Sequence, residues 1–380
     1  MEIHDLETLR DWLSEGRPVA GLRLQDLDLA PVERQLLSRR DLEGLVVLGG
    51  SLRPALRTHL QAHGAVIFPA APSAPVDIFR AHLYTAGELY GGLDGPEGYA
   101  GTVDARAYDW SRDTRHSRDA YATLLRAIHD DSITDALAEW VEGRRVVGVL
   151  GGHASRRGTP EYADAARLGH DLAGRGLLVA TGGGPGTMEA VNLGATAHSS
   201  QLLSQALVAL AAVPSFEPDV GAWARVAFEV LASCGPRVTP VPGSPRPQRE
   251  AGAPRRRPRS LGIPTWFYGH EPPNVFAEGI AKYFSNAIRE DGLLARSTAG
   301  VIVLPGAAGT VQEVFQLATR LYYAPPGLAP PPLVLVGRRH WTRTLPVVDL
   351  LAALGAGRQM GSAVHVVDTV DEAALIVATG

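Results

Sequence analysis

The sequence predicts an α/β protein, a doubly wound parallel (Rossmann-like) sheet with helices on both faces, preceded by a smaller N-terminal α/β region. Three observations lead there. The short runs Val146–Leu150, Leu177–Ala180, Val301–Leu304 and Leu333–Gly337 are almost wholly apolar and rich in β-branched residues, as strands buried on both faces are. Each runs into a turn of glycine or proline and then into a helical pattern, the alternation that builds parallel sheets. Crossovers between parallel strands are right-handed, so residues 141–380 form one sheet covered on both sides.

The 380 residues are 45% hydrophobic and 20% charged, which suits a well-packed chain of more than one domain. A formal charge of −4 gives no general attraction to nucleic acid or to membranes. Lys282 is the one lysine among 36 basic residues, and Cys234 is the one cysteine. A lone cysteine excludes an internal disulfide and a multi-cysteine zinc centre, which fits a reducing compartment. Met1–Asp5 has neither a basic n-region nor an apolar h-region, and the greasiest run, Leu202–Val213, is too short for a bilayer. A cytoplasmic protein is therefore expected.

Residues 1–140 read as an accessory region. Ile3–Glu15 suggests a helix, Leu45–Leu48 a strand ending in Gly49-Gly50, Pro54–His63 a helix and Ala65–Phe68 a strand, together a small βαβ unit. Gly49-Gly50-Ser51 is either a ligand turn or a plain one. A helix over Val76–Tyr90, a glycine-rich turn over 91–101, the polar and aromatic stretch Asp104–Arg118 and a connector helix over Asp119–Val141 follow.

From Arg145 the pattern sharpens. The strand Val146–Leu150 ends in Gly151-Gly152-His153. Thr159-Pro160 is an N-cap with proline at the first helical position, ahead of a helix over Glu161–Arg175. The strand Leu177–Ala180 then feeds Thr181-Gly182-Gly183-Gly184-Pro185-Gly186-Thr187-Met188-Glu189. A strand that passes through a glycine-rich turn into a helix start is an anion site, because backbone N–H groups point outward and no side chain blocks a phosphate. The spacing is not that of a dinucleotide fingerprint, and no Walker lysine is present. Helices over Ser199–Val213 and Asp219–Leu231 come next. Residues 234–260, with the run Arg255-Arg256-Arg257-Pro258-Arg259, read as a flexible proline- and arginine-rich loop.

Leu261–Tyr268 reads as a strand ending in Gly269-His270-Glu271. Polar residues just past a parallel strand's carboxyl end lie where ligands bind, which makes His270 and Glu271 candidates as well as turn formers. Asn274 caps a predicted helix over Val275–Glu290. On it Phe276, Ile280, Tyr283, Phe284 and Ala287 share one face and Glu278, Lys282, Ser285 and Arg289 the other, flanked by Asn286 and Glu290. That polar stripe is either a solvated face with a Glu278–Lys282 pair or the wall of a pocket. Pro305-Gly306 ends the next strand, and Thr310 is an N-cap for a helix carrying Val314, Leu317 and Leu321. Thr310 and Glu313 fit two roles equally: a capping box and a second phosphate-holding turn. A helix over Leu345–Leu354, a strand over Val364–Val367 and a terminal helix complete the chain.

The ordered set of Gly151-Gly152, Gly158-Thr159-Pro160-Glu161-Tyr162, Thr181–Ala190 and Pro305-Gly306-Ala307-Ala308-Gly309-Thr310 with Glu313 resembles the Lonely Guy (LOG) family over roughly residues 145–370. With its extra N-terminal region the chain looks more like the longer bacterial nucleotide nucleosidases of that group than like its short cytokinin-activating enzymes. The resemblance implies hydrolysis of a nucleoside 5′-monophosphate such as AMP to free base and ribose 5-phosphate, without cofactor or metal, in a homodimer or larger homo-oligomer. It makes Glu313 and Arg289 the catalytic pair. It assigns nucleotide and phosphate binding to Gly151, Gly152, Gly182, Gly183, Gly184, Gly186, Thr187, Met188, Glu189, Pro305, Gly306, Ala307, Gly309 and Thr310. Glu313 would stabilise positive charge developing on the ribose, and Arg289 would hold phosphate or position Glu313. The decarboxylase label often attached to such sequences fails, since a pyridoxal Schiff base needs a pocket lysine and only Lys282 exists. Ala307 stands where the family carries glycine. It strains the turn if that position needs positive φ and serves if only smallness is needed. The alternative is a sensor or carrier that uses the same cleft to bind a nucleotide or a phosphorylated, pterin-like cofactor.

Overall fold

The computed structural model describes residues 1–68, 71, 74–113, 115, 119–234, 257–267, 271–325, 327 and 329–379. Two compact units are present, Met1–Leu83 with Arg106–Trp140, and Tyr84–Ala105 with Val141–Gly380.

The first unit is built on a parallel sheet of β1 (Glu2–Ile3), β2 (Arg23–Gln25), β3 (Val46–Leu48) and β4 (Val66–Phe68), paired in chain order. The crossovers α1 (Leu6–Ser14), α2 (Glu33–Leu37) and α3 (Pro54–Ala62) bury Leu9, Leu36, Leu56 and Leu60 against Ile3, Leu24 and Val47. The expected α1, β3, α3 and β4 are present. β2 escaped the sequence reading because Arg23 and Gln25 flank its single leucine. The helix expected over Val76–Tyr90 does not form. The Asp77 carboxylate accepts the Phe79 N–H at 3.0 Å, so side-chain turn chemistry wins over helical periodicity. Helix α4, which belongs to the second unit, starts only at Ala86 and ends at Leu89, behind a capping box of Thr85 and Glu88. Helices α5 (Val103–Arg112) and α6 (Ala120–Val141) follow.

The second unit carries β5 (Val146–Leu150), α7 (Pro160–Gly174), β6 (Leu178–Thr181), α8 (Thr187–Thr196), α9 (Ser200–Leu210), α10 (Val220–Cys234), β7 (Ser260–Gly262) and β8 (Gly279–Ile280). It continues through α11 (Asn286–Arg296), β9 (Gly300–Val303), α12 (Ala308–Tyr322), β10 (Leu333–Val336), α13 (Val348–Gly355), α14 (Met360–Ala363), β11 (Val364–Val367) and α15 (Val370–Thr379). The seven strands form one parallel sheet in the order β11-β10-β9-β5-β6-β7-β8. Chain order runs outward from β5 on one side through β6 to β8 and on the other through β9 to β11. Right-handed crossovers in both directions place helices on both faces, the Rossmann-like doubly wound arrangement. Every residue of β5, β6, β9 and β10 is buried, as their apolar runs predict. Helix α8 is buried along its whole length. It meets α7 backbone to backbone, since a Cβ at Gly169 would strike the Val191 carbonyl and one at Gly194 the Ala166 carbonyl.

Two further expectations are corrected. The strand read over Leu261–Tyr268 keeps its ladder only as far as Gly262, where Pro264 interrupts it, and beyond the break a single parallel bridge joins Thr265 to Tyr283. Tyr268, Gly269 and His270 lie outside the described residues, as do 235–256 of the proline- and arginine-rich loop. No helix spans Val275–Glu290. Instead Gly279-Ile280 pairs with Leu261-Gly262 as the edge strand β8, and the helix begins at Asn286. From Pro272 to Phe284 only Glu278 is exposed, so the run is enclosed on all sides and its helical spacing was accidental. Lys282 is 1% exposed and paired with Asp104 at 2.6 Å. Glu278 accepts the backbone N–H groups of Arg259 and Ser260 at 2.5 and 3.2 Å. The expected Glu278–Lys282 pair is thus replaced by two separate roles.

Candidate functional site

The order in which the chain adds strands reverses between β5 and β9, and ligands of such sheets bind beyond the carboxyl ends of strands at that switch point. Four strand ends meet there: Pro305 after β9, Gly151–His153 after β5, Gly182–Gly186 after β6, and Ile263-Pro264 after β7. Backbone bonds join them, the Gly152 N–H to the Pro305 carbonyl at 3.4 Å and the Thr187 N–H to the Gly152 carbonyl at 3.2 Å. Gly183 and Gly186 sit at φ +73° and +71°, a region open to glycine and strained for other residues. A side chain at Gly186 would also collide with the His153 carbonyl, and one at Gly183 would lie 2.6 Å from Pro264 Cδ.

A buried amide network holds the β6 turn in this shape. The Thr181 hydroxyl donates to Asn192 Oδ1 at 2.7 Å and accepts the Gly183 N–H at 3.0 Å. Asn192 Nδ2 donates to Ser260 Oγ and to the Leu261 carbonyl at 2.9 and 3.2 Å. Asn274 donates from Nδ2 to Asn192 Oδ1 and the Gly184 carbonyl at 2.9 and 3.2 Å, and from its backbone to the Gly183 carbonyl at 2.8 Å. Asn274 is therefore no helix cap. It is the strut of the glycine turn.

Arg289, in the first turn of α11, reaches into this assembly. Its Nε donates to the Ile263 carbonyl at 2.8 Å and its Nη1 to Glu313 Oε1 at 3.1 Å. A Cβ at Gly182 would collide with Arg289 Nη2 and lie 2.7 Å from Met188 Sδ, so the glycine turn, Met188, Arg289 and Glu313 share one place. Helix α12 begins at Ala308 with Ala307 as its N-cap, which removes the capping-box reading of Thr310 and Glu313. Thr310 is 6% exposed, and its side chain fills the space a side chain at Gly306 would need. Glu313 lies one turn further on and serves Arg289. Ala307 has φ −117°, so alanine there carries no left-handed strain and only smallness matters. Ala307, Ala308 and Gly309 are exposed, and nothing lies within 4 Å of a Cβ built on Gly309. The start of α12 is open to solvent, with the N–H groups of its first turn facing outward.

Carboxylates surround the arginine. Glu290 Oε1 lies 3.9 Å from Arg289 Nη1, accepts Asn286 Nδ2 at 2.7 Å, and through Oε2 accepts Gln312 Nε2 at 2.8 Å. Burial raises the Glu313 carboxyl above its ordinary range. Arg289 pulls it back, while the charges of Glu290 and Glu271 push it up further. Glu271 stands over the glycine turn, 3.4 Å from a Cβ at Gly184, with Oε1 3.1 Å from His153 Nδ1.

Most of the expected residues thus converge. Gly151 packs on Thr187 and on Leu304 at the junction of the two turns. Glu189 stands apart: it is fully buried, takes Arg157 Nε at 3.0 Å and Nη2 at 2.5 Å, and accepts the Tyr162 hydroxyl at 2.8 Å. That commitment ties α8 to α7 and leaves the carboxylate nothing for a ligand. His270 lies outside the described residues. Sequence reasoning missed His153, although it directly follows Gly151-Gly152 at a strand end. It also missed Asn192 and Gln312, whose roles depend on partners distant in the chain. A cavity of about 590 Å³ lies elsewhere, in the first unit, between Arg10, Asp11, Glu33, Arg34 and Arg53, and holds none of these groups. Among the described residues no group of three or more His, Cys, Asp or Glu is arranged to hold a metal ion. No helix among them is long and apolar enough to cross a membrane.

Residues 144–202 match the SLOG cluster4 family. The match covers the β5 and β6 turns and stops before Arg289 and the turn at 305–313. No curated protein sequence matches the chain. Among solved structures, the molybdenum cofactor binding protein from the phototrophic bacterium Rippkaea orientalis is similar at 16% identity and a TM-score of 0.36, over 63% of this chain and 98% of that one.

Proposed function

We propose that the chain hydrolyses the N-glycosidic bond of a nucleoside 5′-monophosphate such as AMP, releasing free base and ribose 5-phosphate, as its resemblance to the LOG family implies. One observation carries this reading: Gly182 leaves the space that Arg289 fills, and Arg289 in turn holds Glu313 at 3.1 Å. A turn shaped to admit a phosphate, a guanidinium and a largely buried carboxylate then border one crevice. The 5′-phosphate would lie on the exposed turn 305–309, against the outward N–H groups and positive end of α12. The ribose would lie beside Glu313, whose charge stabilises the developing oxocarbenium ion and orients water. Burial of Glu313 strengthens that electrostatic effect, because the surrounding dielectric is low. The unstrained φ of Ala307 supports a working turn despite the departure from glycine.

The experiment is to incubate the protein with AMP, GMP, CMP, UMP and IMP and to measure free base. Release from at least one nucleotide, lost in a folded Glu313→Ala variant, is the expected result. Thermal stabilisation by nucleotides without any release across the panel would replace hydrolysis with binding alone.

A further inference from the structure

Glu313 answers only half of the chemistry that the proposed reaction needs. When C1′–N breaks, the electron pair leaves with the base, and a purine or pyrimidine anion is a poor leaving group unless a proton reaches it. Arg289 engages Glu313 on the β9 side of the crevice. A second polar pair stands over the β6 turn, where His153 Nδ1 lies 3.1 Å from Glu271 Oε1 and Glu271 covers Gly184. The two pairs are close enough for the charge of Glu271 to act on Glu313.

Resting on the hydrolase reading, we propose that His153, oriented by Glu271, is the general acid that protonates the departing base. The placement fits that work. The His153 backbone is fixed, because its carbonyl packs on Gly186 at the start of α8. Its imidazole is nonetheless 58% exposed, so it can reach a ligand seated on the turn. A carboxylate at one ring nitrogen fixes the ring's orientation and leaves Nε2 to serve the substrate. Histidine is also the side chain whose proton is most readily exchanged near neutral pH. The step balances. The C1′–N bond breaks, its electron pair passes to the base, and the Nε2 proton joins the base. Water adds at C1′ and gives its proton to Glu313, and solvent returns that proton to His153. Water and nucleotide become base and ribose 5-phosphate with nothing oxidised or reduced.

The test compares two leaving groups. Nucleoside monophosphates need a proton on the base, whereas 4-nitrophenyl ribofuranoside 5-phosphate releases a stable phenolate that does not. His153→Gln is expected to lower kcat on the nucleotide about a hundredfold, the usual scale of general-acid catalysis, and on the nitrophenyl substrate by less than about threefold. Glu271→Gln should show the same contrast at smaller amplitude. His153→Asn guards against an effect peculiar to one substitution, and thermal unfolding establishes that each variant is folded. Equal losses on both substrates would make His153 a shaping residue and overturn the proposal, as would an undiminished kcat on the nucleotide. A wild-type protein that cleaves neither substrate would remove the hydrolase reading itself, and the general acid with it.

Discussion

Arg289 occupies the volume that a side chain at Gly182 would need, and from there its Nη1 reaches Glu313 Oε1 at 3.1 Å. The smallness of one residue in the β6 turn therefore sets where a carboxylate on α12 is held. The guanidinium is fixed from a third side by the Ile263 carbonyl at 2.8 Å, so it cannot yield without losing a bond.

Gly182→Ala should accordingly act at a distance. The methyl group forces Arg289 or Met188 to move, an overpacking that typically costs about 1–3 kcal/mol. Base release should fall at least about tenfold, since misplacing a catalytic group by an ångström has effects of that order or larger. Gly309→Ala makes the comparison, because its Cβ meets nothing within 4 Å and stability there should barely change. Thermal unfolding of both variants beside their kinetics checks the pair. Loss of stability in Gly182→Ala with unchanged kinetics would separate the turn from the site.

The raised carboxyl of Glu313 makes a prediction about pH. Its folded pKa lies above the ordinary 4.5, chiefly through burial, so the ionised form is disfavoured in the native state. That burden is fully present above the raised pKa and vanishes below 4.5, where the group is protonated in folded and unfolded chains alike. Glu313→Gln keeps the shape and an acceptor for Arg289 without the charge. It should unfold at or above the wild-type temperature at pH 8, and the gap should close as pH falls to about 4. The same substitution should abolish most of the turnover, as residues strained for function do. A variant markedly less stable than wild type at pH 8 would contradict this account.

The sequence makes the sheet legible because its strands are buried on both faces, so β5, β6, β9 and β10 each appear as a run without polar interruption. The glycine turns were legible for a related reason, since a strand, small residues and a helix start lie side by side in the chain. Arg289 and Glu313 were expected together only through a family resemblance. Their contact joins residues 24 apart in the chain, and no local pattern encodes it. The stretch from Pro272 to Phe284 misled because Glu278 and Lys282 recur at helical spacing in the sequence, although one caps the start of β7 and the other is buried beside Asp104. Glu189 misled for the opposite reason: it sits beside the glycine turn in sequence, yet Arg157 and Tyr162 claim it.

Asn274 offers a test of the turn that leaves its glycines alone. Its side chain and backbone together engage Gly183, Gly184 and Asn192. Asn274→Ala strands the Gly184 carbonyl and one lone pair of Asn192 away from water, at about 1–3 kcal/mol for each buried group. Stability to urea should drop by about 2–4 kcal/mol. The freed turn should also lower nucleotide affinity, as read by calorimetry at a temperature where the variant is folded. Asn274→Asp keeps the acceptor that caps Phe276 N–H and loses the donor, so it should resemble the alanine variant rather than the wild type.

Lys282 gives the last prediction, and it concerns the unit's stability rather than its site. The ammonium is 1% exposed, 2.6 Å from Asp104 Oδ1 and 5.3 Å from the centre of the Trp266 ring. Asp104 also accepts the Trp266 indole N–H at 2.8 Å and the Tyr99 hydroxyl at 2.7 Å. Burial lowers the lysine's pKa, and Asp104 opposes that shift, so each charge is tolerable only beside the other. Lys282→Met should cost about 3–5 kcal/mol, because it leaves a carboxylate buried without its cation. Asp104→Asn should cost a similar amount for the converse reason. In the double variant neither charge remains, and the introduced amide still offers an acceptor to the indole. Its loss should therefore fall short of the sum by about 2 kcal/mol or more, as coupled pairs do in a double-mutant cycle. Urea unfolding of the four proteins measures the coupling. Additive losses would mean that the pair is held by packing around Trp266, and that its charges act independently.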